Sequence, residues 1–303
     1  MKRLLFFLLV FFIGCGGPPE PPKWYNQTYT SQIYIYGKGS AITRDSAINN
    51  ALSDAAAKVS VTINSSFESS KRLFESKDYA DEIRQLNKDI RSEVKNINFS
   101  DYEIVKEKKV DDVYFVVVKI NKYKTAQNLY ESAKAIVNDV KDDLAINDKV
   151  KILKIYPKDI QKLNKAISDL TIALVLEEND EYKKLLKQAI NLKNALKAKL
   201  NKISVKVISS NPTIKSMIED VFTDLNVPLG DGIKVYVNAN VKNRKIMRYY
   251  VSTIKLRITL RDKSALTYEV KCGGKALSGF ENAFEFAISK CKDKVEKVLK
   301  KAL

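Results

Sequence analysis

The pattern of apolar and polar positions divides the chain into stretches of different period. Leu4 to Ile13 is an unbroken apolar run behind the basic Met1-Lys2-Arg3. It has the length of a secretory leader and falls short of the ~20 residues that span a bilayer. Gln32 to Tyr36 alternates, which predicts a strand. Ala47, Ala51, Ala55 and Val59 recur every fourth residue, with Ile48 and Leu52 beside them. That period predicts a helix whose small-residue stripe can sit close on a sheet. Val59, Val61, Ile63 and Phe67 alternate again, so Val59 to Ser69 is expected as a strand. Glu82–Lys95 reads as a polar helix. Tyr102 to Lys106 and Val113 to Ile120 read as strands around the charged turn Lys108 to Asp112. The second is so uniformly apolar that it belongs at the centre of its sheet.

From Tyr123 to Asn201 the period becomes helical. Ala126, Tyr130, Ala133, Val137, Val140 and Leu144 form one stripe, and Ile160, Leu163, Ile167, Leu170 and Leu174 form another after a break at Pro157. Leu185, Ala189, Leu192, Leu196 and Leu200 form a third beyond Glu177–Asp180. This near-heptad spacing predicts an antiparallel, coiled-coil-like hairpin packed on the helix before it, serving as a spacer or as a docking surface. Period two then returns. Ser204 to Ile208 is expected as a strand, Thr213 to Leu225 as a helix behind Pro212, and Gly230-Asp231-Gly232 as a turn. Lys234 to Lys242, Thr253 to Arg261 and Leu266 to Lys271 follow as strands, and Ser278 to Leu303 as a closing helix. The order β-α-β-β-β-α predicts an antiparallel sheet with helices on one face. The expected class is α+β. Two antiparallel-sheet modules, 24–122 and 203–303, are joined by the helical region 123–202, behind a signal peptide (1–14) and a tether (15–23).

Composition sharpens the picture at three points. Of 303 residues, 45% are hydrophobic and 29% charged, a mixture that packs cores rather than staying disordered. The net charge of +17 favours anionic partners such as lipopolysaccharide, peptidoglycan or lipid headgroups. Nucleic acid is not expected, because an exported chain does not meet it. Between Lys234 and Lys275 stand 11 Lys+Arg against 2 Asp+Glu. Strand alternation puts Lys234, Tyr236, Lys255, Arg257 and Arg261 on one uncovered face, either as an anionic-ligand surface or as a solubilising one. The chain has no histidine, which removes Ser-His-Asp and Cys-His nucleophiles and imidazole metal sites. No metal and no cofactor is expected.

Two motifs that suggest chemistry do not support it. Gly37-Lys38-Gly39-Ser40 lacks the spacing of a phosphate or dinucleotide loop and reads as a turn between strand and helix. The carboxylate pairs Asp111/Asp112 and Glu177/Glu178 fall at expected turns, so they make a poor glycan-hydrolase site.

Gly14 stands directly before Cys15 at the end of the apolar run, which resembles the bacterial lipobox. That resemblance implies cleavage before Cys15 and anchoring by acyl chains on it, since several chains hold where one is marginal. The following GGPPEPPK is a semi-rigid spacer. Gly16 rather than Asp after the cysteine implies the outer membrane, with the protein facing the periplasm. Cys272 and Cys291 then remain, an even number in an oxidising compartment. They are either a disulfide between the last strand and the last helix or two small buried residues.

Trp24 after the tether, Tyr36-Gly37-Lys38-Gly39-Ser40-Ala41 at the end of a strand, and the stripe Ala47, Ala51, Ala55 together resemble the LPP20-like lipoprotein family, over about 22–122. The resemblance implies an envelope lipoprotein with an α+β module, related in shape to an N-terminal module of flagellar assembly proteins, and no enzymatic activity. The expected function is a non-catalytic envelope lipoprotein that binds or scaffolds an envelope component. A flagellar or secretion-apparatus assembly factor and a carboxylate-dependent envelope glycan hydrolase are the alternatives.

Overall fold

The computed structural model describes residues 19–70, 99 and 101–302. The expected leader, Cys15 and the expected helix Glu82–Lys95 lie outside them. The chain divides into two compact units. One takes the described residues up to Asn128 together with Ile172–Glu178; the other takes Leu129–Thr171 and the described residues from Asn179 onward.

The first unit is built on a three-stranded antiparallel sheet of β1 (Tyr34–Ala41), β2 (Tyr102–Val110) and β3 (Val113–Asn121), in the order β1-β3-β2. The apolar run of β3 takes the centre, with Phe115, Val116, Val117 and Val118 all buried. Helix α1 (Arg44–Ser70) packs on β1 and β3. It runs through the stretch expected as a strand, Val59 to Ser69. Of the alternating residues whose side chains are described, Val59 is buried and Val61 is 69% exposed. The strand pattern yields to the alanine stripe, which has a sheet to cover.

The glycine motif is also not a turn. Tyr36 to Ala41 continues β1, with Gly37 opposite Val118 and Gly39 opposite Val116. The glycines are there for closeness. A Cβ on Gly37 would press on the Ala51 carbonyl, 2.9 Å from its carbon and 3.0 Å from the Ala55 Cβ. One on Gly39 would strike the backbone of Ala47 and Ala51. Helix backbone thus rests on strand backbone, and Ala47, Ala51 and Ala55 are fully buried. Polar groups of α1 also satisfy the free edge of β1. The Lys38 N–H donates to the Asp54 carboxylate at 2.9 Å, and the Lys58 ammonium donates to the Tyr36 carbonyl at 2.8 Å. Trp24 lies in a short 3-10 helix, Lys23–Asn26, whose Tyr25 ring meets Phe115 edge-on at 5.0 Å.

The second unit holds most of three helices, α2 (Lys122–Asp143), α3 (Lys149–Leu176) and α4 (Asp180–Leu200). Pro157 does not break α3 as the sequence suggested; it lies inside it. Val150, Leu153, Tyr156, Leu163, Ala166 and Leu170 are buried on both sides of it, so burial outweighs the one backbone bond that proline removes. Asn179 caps α4 by accepting from the Glu181 N–H at 2.9 Å, and the Tyr130 and Tyr182 rings stack at 4.8 Å.

The rest of this unit is a four-stranded sheet of β4 (Val205–Ile208), β5 (Ile233–Ile246), β6 (Tyr249–Arg261) and β7 (Ala265–Ala276), in sequence order. It is mixed rather than wholly antiparallel. β4 and β5 are joined through helix α5 (Pro212–Asp224), and such a crossover makes them parallel. Helix α6 (Phe280–Ala302) lies along β6 and β7 and touches α5. β5 and β6 are longer than their alternation implied and form a hairpin that turns at Met247-Arg248. Among the described residues no helix is long and apolar enough to cross a membrane.

Candidate functional site

Strand alternation sets the two faces of the second sheet. Ile233, Val235 and Val237 of β5 and Ile254, Leu256, Ile258 and Leu260 of β6 are buried on the face covered by α5 and α6. The other face carries the charge. Across β5 and β6, Lys234 stands opposite Arg261, Asn238 opposite Arg257 and Asn240 opposite Lys255. Across β6 and β7, Lys255 stands opposite Lys271 and Arg257 opposite Glu269. These charged side chains are exposed. Tyr236 is half-buried opposite Thr259, whose hydroxyl meets that of Thr267 at 3.0 Å.

Of the expected cations, one is already balanced. Arg257 donates from Nε and Nη2 to the same Glu269 oxygen, at 2.9 and 2.7 Å. Lys234, Lys255, Lys271 and Arg261 have no carboxylate within ion-pair distance among the described residues. Two like-charged pairs therefore face each other across neighbouring strands, an arrangement that costs stability. A bound anion would relieve it. Asn238, Asn240, Lys255, Arg257, Glu269 and Lys271 line a shallow concavity of about 650 Å³ here. At the edge of the sheet the Lys206 ammonium, 2.6 Å from Asp231, holds that carboxyl below its ordinary value.

Beneath this face Cys272 of β7 and Cys291 of α6 are joined by a disulfide, with Cα atoms 5.3 Å apart. Both are buried. Gly274 lies two residues on, where a Cβ would meet the backbone of Ala283 and Ala287, so α6 touches β7 as closely as α1 touches β1.

The other sequence candidates are on other elements. Trp24, Tyr36, Gly37, Gly39 and Ala41 belong to the first unit and serve its packing. Asp111 and Asp112 form the β2–β3 turn, with Asp111 at φ 50° and the Asp112 side chain 95% exposed. Glu177 and Glu178 follow the end of α3. Three acids are buried among the described residues, Asp148, Asp159 and Asp169, and sequence singled out none of them; Asp159, 1% exposed, lies 3.3 Å from Lys162. Burial pushes its carboxyl above the ordinary value, with Asp143 adding to the effect and Lys162 opposing it. Lys162 in turn pairs with Asp139 at 2.8 Å. Glu269, the counter-charge, was equally invisible, because sequence gives parity but not which exposed neighbours pair.

The crystal structure of the secreted protein HP1454 from Helicobacter pylori superposes with a TM-score of 0.51 at 17% identity, covering 88% of this chain and 96% of that one; the likeness is one of fold. A Caulobacter crescentus CB15 protein described as a lipoprotein aligns over 34% of this chain and 90% of its own at 11% identity, with a TM-score of 0.24. No curated protein matches. Across residues 22–121 the chain matches the LPP20 lipoprotein family, the family that its Trp24, its glycine strand and its alanine stripe resemble.

Proposed function

We propose that this chain is a non-catalytic envelope lipoprotein, held by acyl chains on Cys15 to the periplasmic side of the outer membrane. Its basic second sheet binds an anionic envelope polymer such as lipopolysaccharide or peptidoglycan. In this scheme 24–122 is the family module, 123–202 a helical spacer and 203–303 the binding module. The observation that carries the binding reading is the pair of facing cations, Lys234 with Arg261 and Lys255 with Lys271, on an open sheet face. The family match supports the anchored part. Fatty-acid labelling of the wild type but not of a Cys15→Ser protein tests the anchor.

The surface is tested by binding of the Cys15→Ser protein to lipopolysaccharide and peptidoglycan at two salt concentrations. Contacts of this kind are screened, so affinity falls steeply as salt rises. Lys255→Gln/Arg261→Gln/Lys271→Gln removes most of that dependence, whereas Arg257→Gln, whose charge Glu269 already balances, changes it little. Salt-insensitive binding, or none to either polymer, rejects the reading.

A further inference from the structure

The far end of the same sheet has a different chemistry. The β5–β6 hairpin turns at Met247-Arg248, one pair beyond the last residue of β7. Hairpin turns favour asparagine and glycine, because the backbone enters the left-handed region there. Here the residue at φ 53° is Met247, and it is 92% exposed. A bulky apolar side chain at a strained position, pointing into water, is not explained by packing. Ile246 beside it is 53% exposed, and Leu277 and Phe280, just past β7, are 61% and 37% exposed.

Around these apolar groups are aromatics and cations in mutual contact. The Tyr250 and Phe280 rings meet edge-on at 4.9 Å. Lys245 lies 5.1 Å over the Tyr250 ring, and Lys275 and Arg248 lie 4.9 and 5.4 Å from the Tyr249 ring. Apolar groups at the extremity, tyrosines behind them and lysine and arginine alongside are the layers that suit a bilayer interface. The apolar side chains enter the acyl boundary, the tyrosines sit at headgroup depth, and the cations meet acidic headgroups.

We propose that this hairpin end is a second membrane contact, in which Ile246 and Met247 insert into a leaflet containing acidic lipids. It is independent of the polymer reading, which rests on the middle of the sheet, and of the acyl anchor. The protein used to test it is the chain from Gly16 onward, made without residues 1–15, so that neither the apolar run Leu4–Ile13 nor acyl chains drive partitioning. It is sedimented with vesicles of phosphatidylcholine alone and with phosphatidylcholine containing about a third phosphatidylglycerol. Unsubstituted, the chain sediments with the acidic vesicles. Ile246→Asp/Met247→Asp weakens that at least tenfold with an unchanged melting midpoint, since both side chains are exposed. Lys255→Gln/Arg261→Gln/Lys271→Gln retains it. In a Trp24→Phe background, which leaves residue 247 as the one indole, Met247→Trp shifts its emission to the blue on acidic vesicles and is quenched by brominated acyl chains, a signature of insertion that charge attraction alone does not produce. Absence of partitioning to the acidic vesicles overturns the proposal. So does partitioning that survives the Asp variants, or a Met247→Trp emission that stays that of an exposed indole, as a protein partner at this surface would give.

Discussion

Reduction of the Cys272–Cys291 bridge should lower the stability of the second unit by a calculable amount. The bridge closes a loop of 19 residues in sequence separation. In the chain-entropy treatment a loop of this length restricts the unfolded chain by about 3 kcal/mol. For a unit on the order of 150–250 residues, that corresponds to a fall in melting midpoint of roughly 6–12 °C. The assay is a thermal melt of the Cys15→Ser protein, followed by circular dichroism with and without a phosphine reductant. Reduction keeps both sulfur atoms in place and removes only the cross-link. Cys272→Ala/Cys291→Ala should melt lower still, because it also empties two buried sites. Equal midpoints for the oxidised and reduced Cys15→Ser protein would refute the reasoning. So would alkylation of both cysteines in denatured, unreduced protein.

Three further substitutions test the packing and one buried acid. Gly39→Val should destabilise the first unit by about 3 kcal/mol in urea melts, because its side chain meets helix backbone. Gly273→Ala, whose Cβ would find nothing nearer than 3.5 Å, should be close to neutral. Asp159 binds its proton more tightly in the fold than in the unfolded chain. Its contribution therefore turns unfavourable as pH rises from the ordinary carboxyl value of about 4 to its raised one. Asp159→Asn, with Lys162 still paired to Asp139, should stabilise at neutral pH by about 1 kcal/mol. That gain should vanish below the ordinary carboxyl range, and an equal gain at all pH values would contradict the account.

Parity and burial were the legible part of this fold. An all-apolar segment must lie between two neighbours, so β3 could be placed at the centre of its sheet from composition. The alternation of Ile254, Leu256, Ile258 and Leu260 separates covered from open face wherever helices lie on one side. Pairing and proximity were not legible. Val59 to Phe67 alternates, yet the helix that begins at Arg44 runs on through it, with Val59 buried and Val61 in water. The glycines of β1 read as a turn because their reason, the nearness of Ala47 and Ala51, is a fact about a different segment. Pro157 stays helical because apolar residues are buried on both sides of it. At the candidate surface, alternation grouped the cations on one face. It could not show that Glu269 had already taken Arg257, or that an unbroken hairpin would carry Met247 to its extremity.

The contact of Gly37 and Gly39 with Ala47, Ala51 and Ala55 has an evolutionary consequence. Neither side of that contact can grow by itself: a methyl group on the strand and a larger side chain on the helix meet the same obstacle, the opposing main chain. No rotamer relieves it, so drift at these five positions is blocked singly and admitted only with displacement of the whole helix. Elsewhere a buried side chain can be exchanged for another of similar volume and the neighbours adjust. Selection for a folded module therefore bears harder on these few small residues than on sites whose neighbours can adjust.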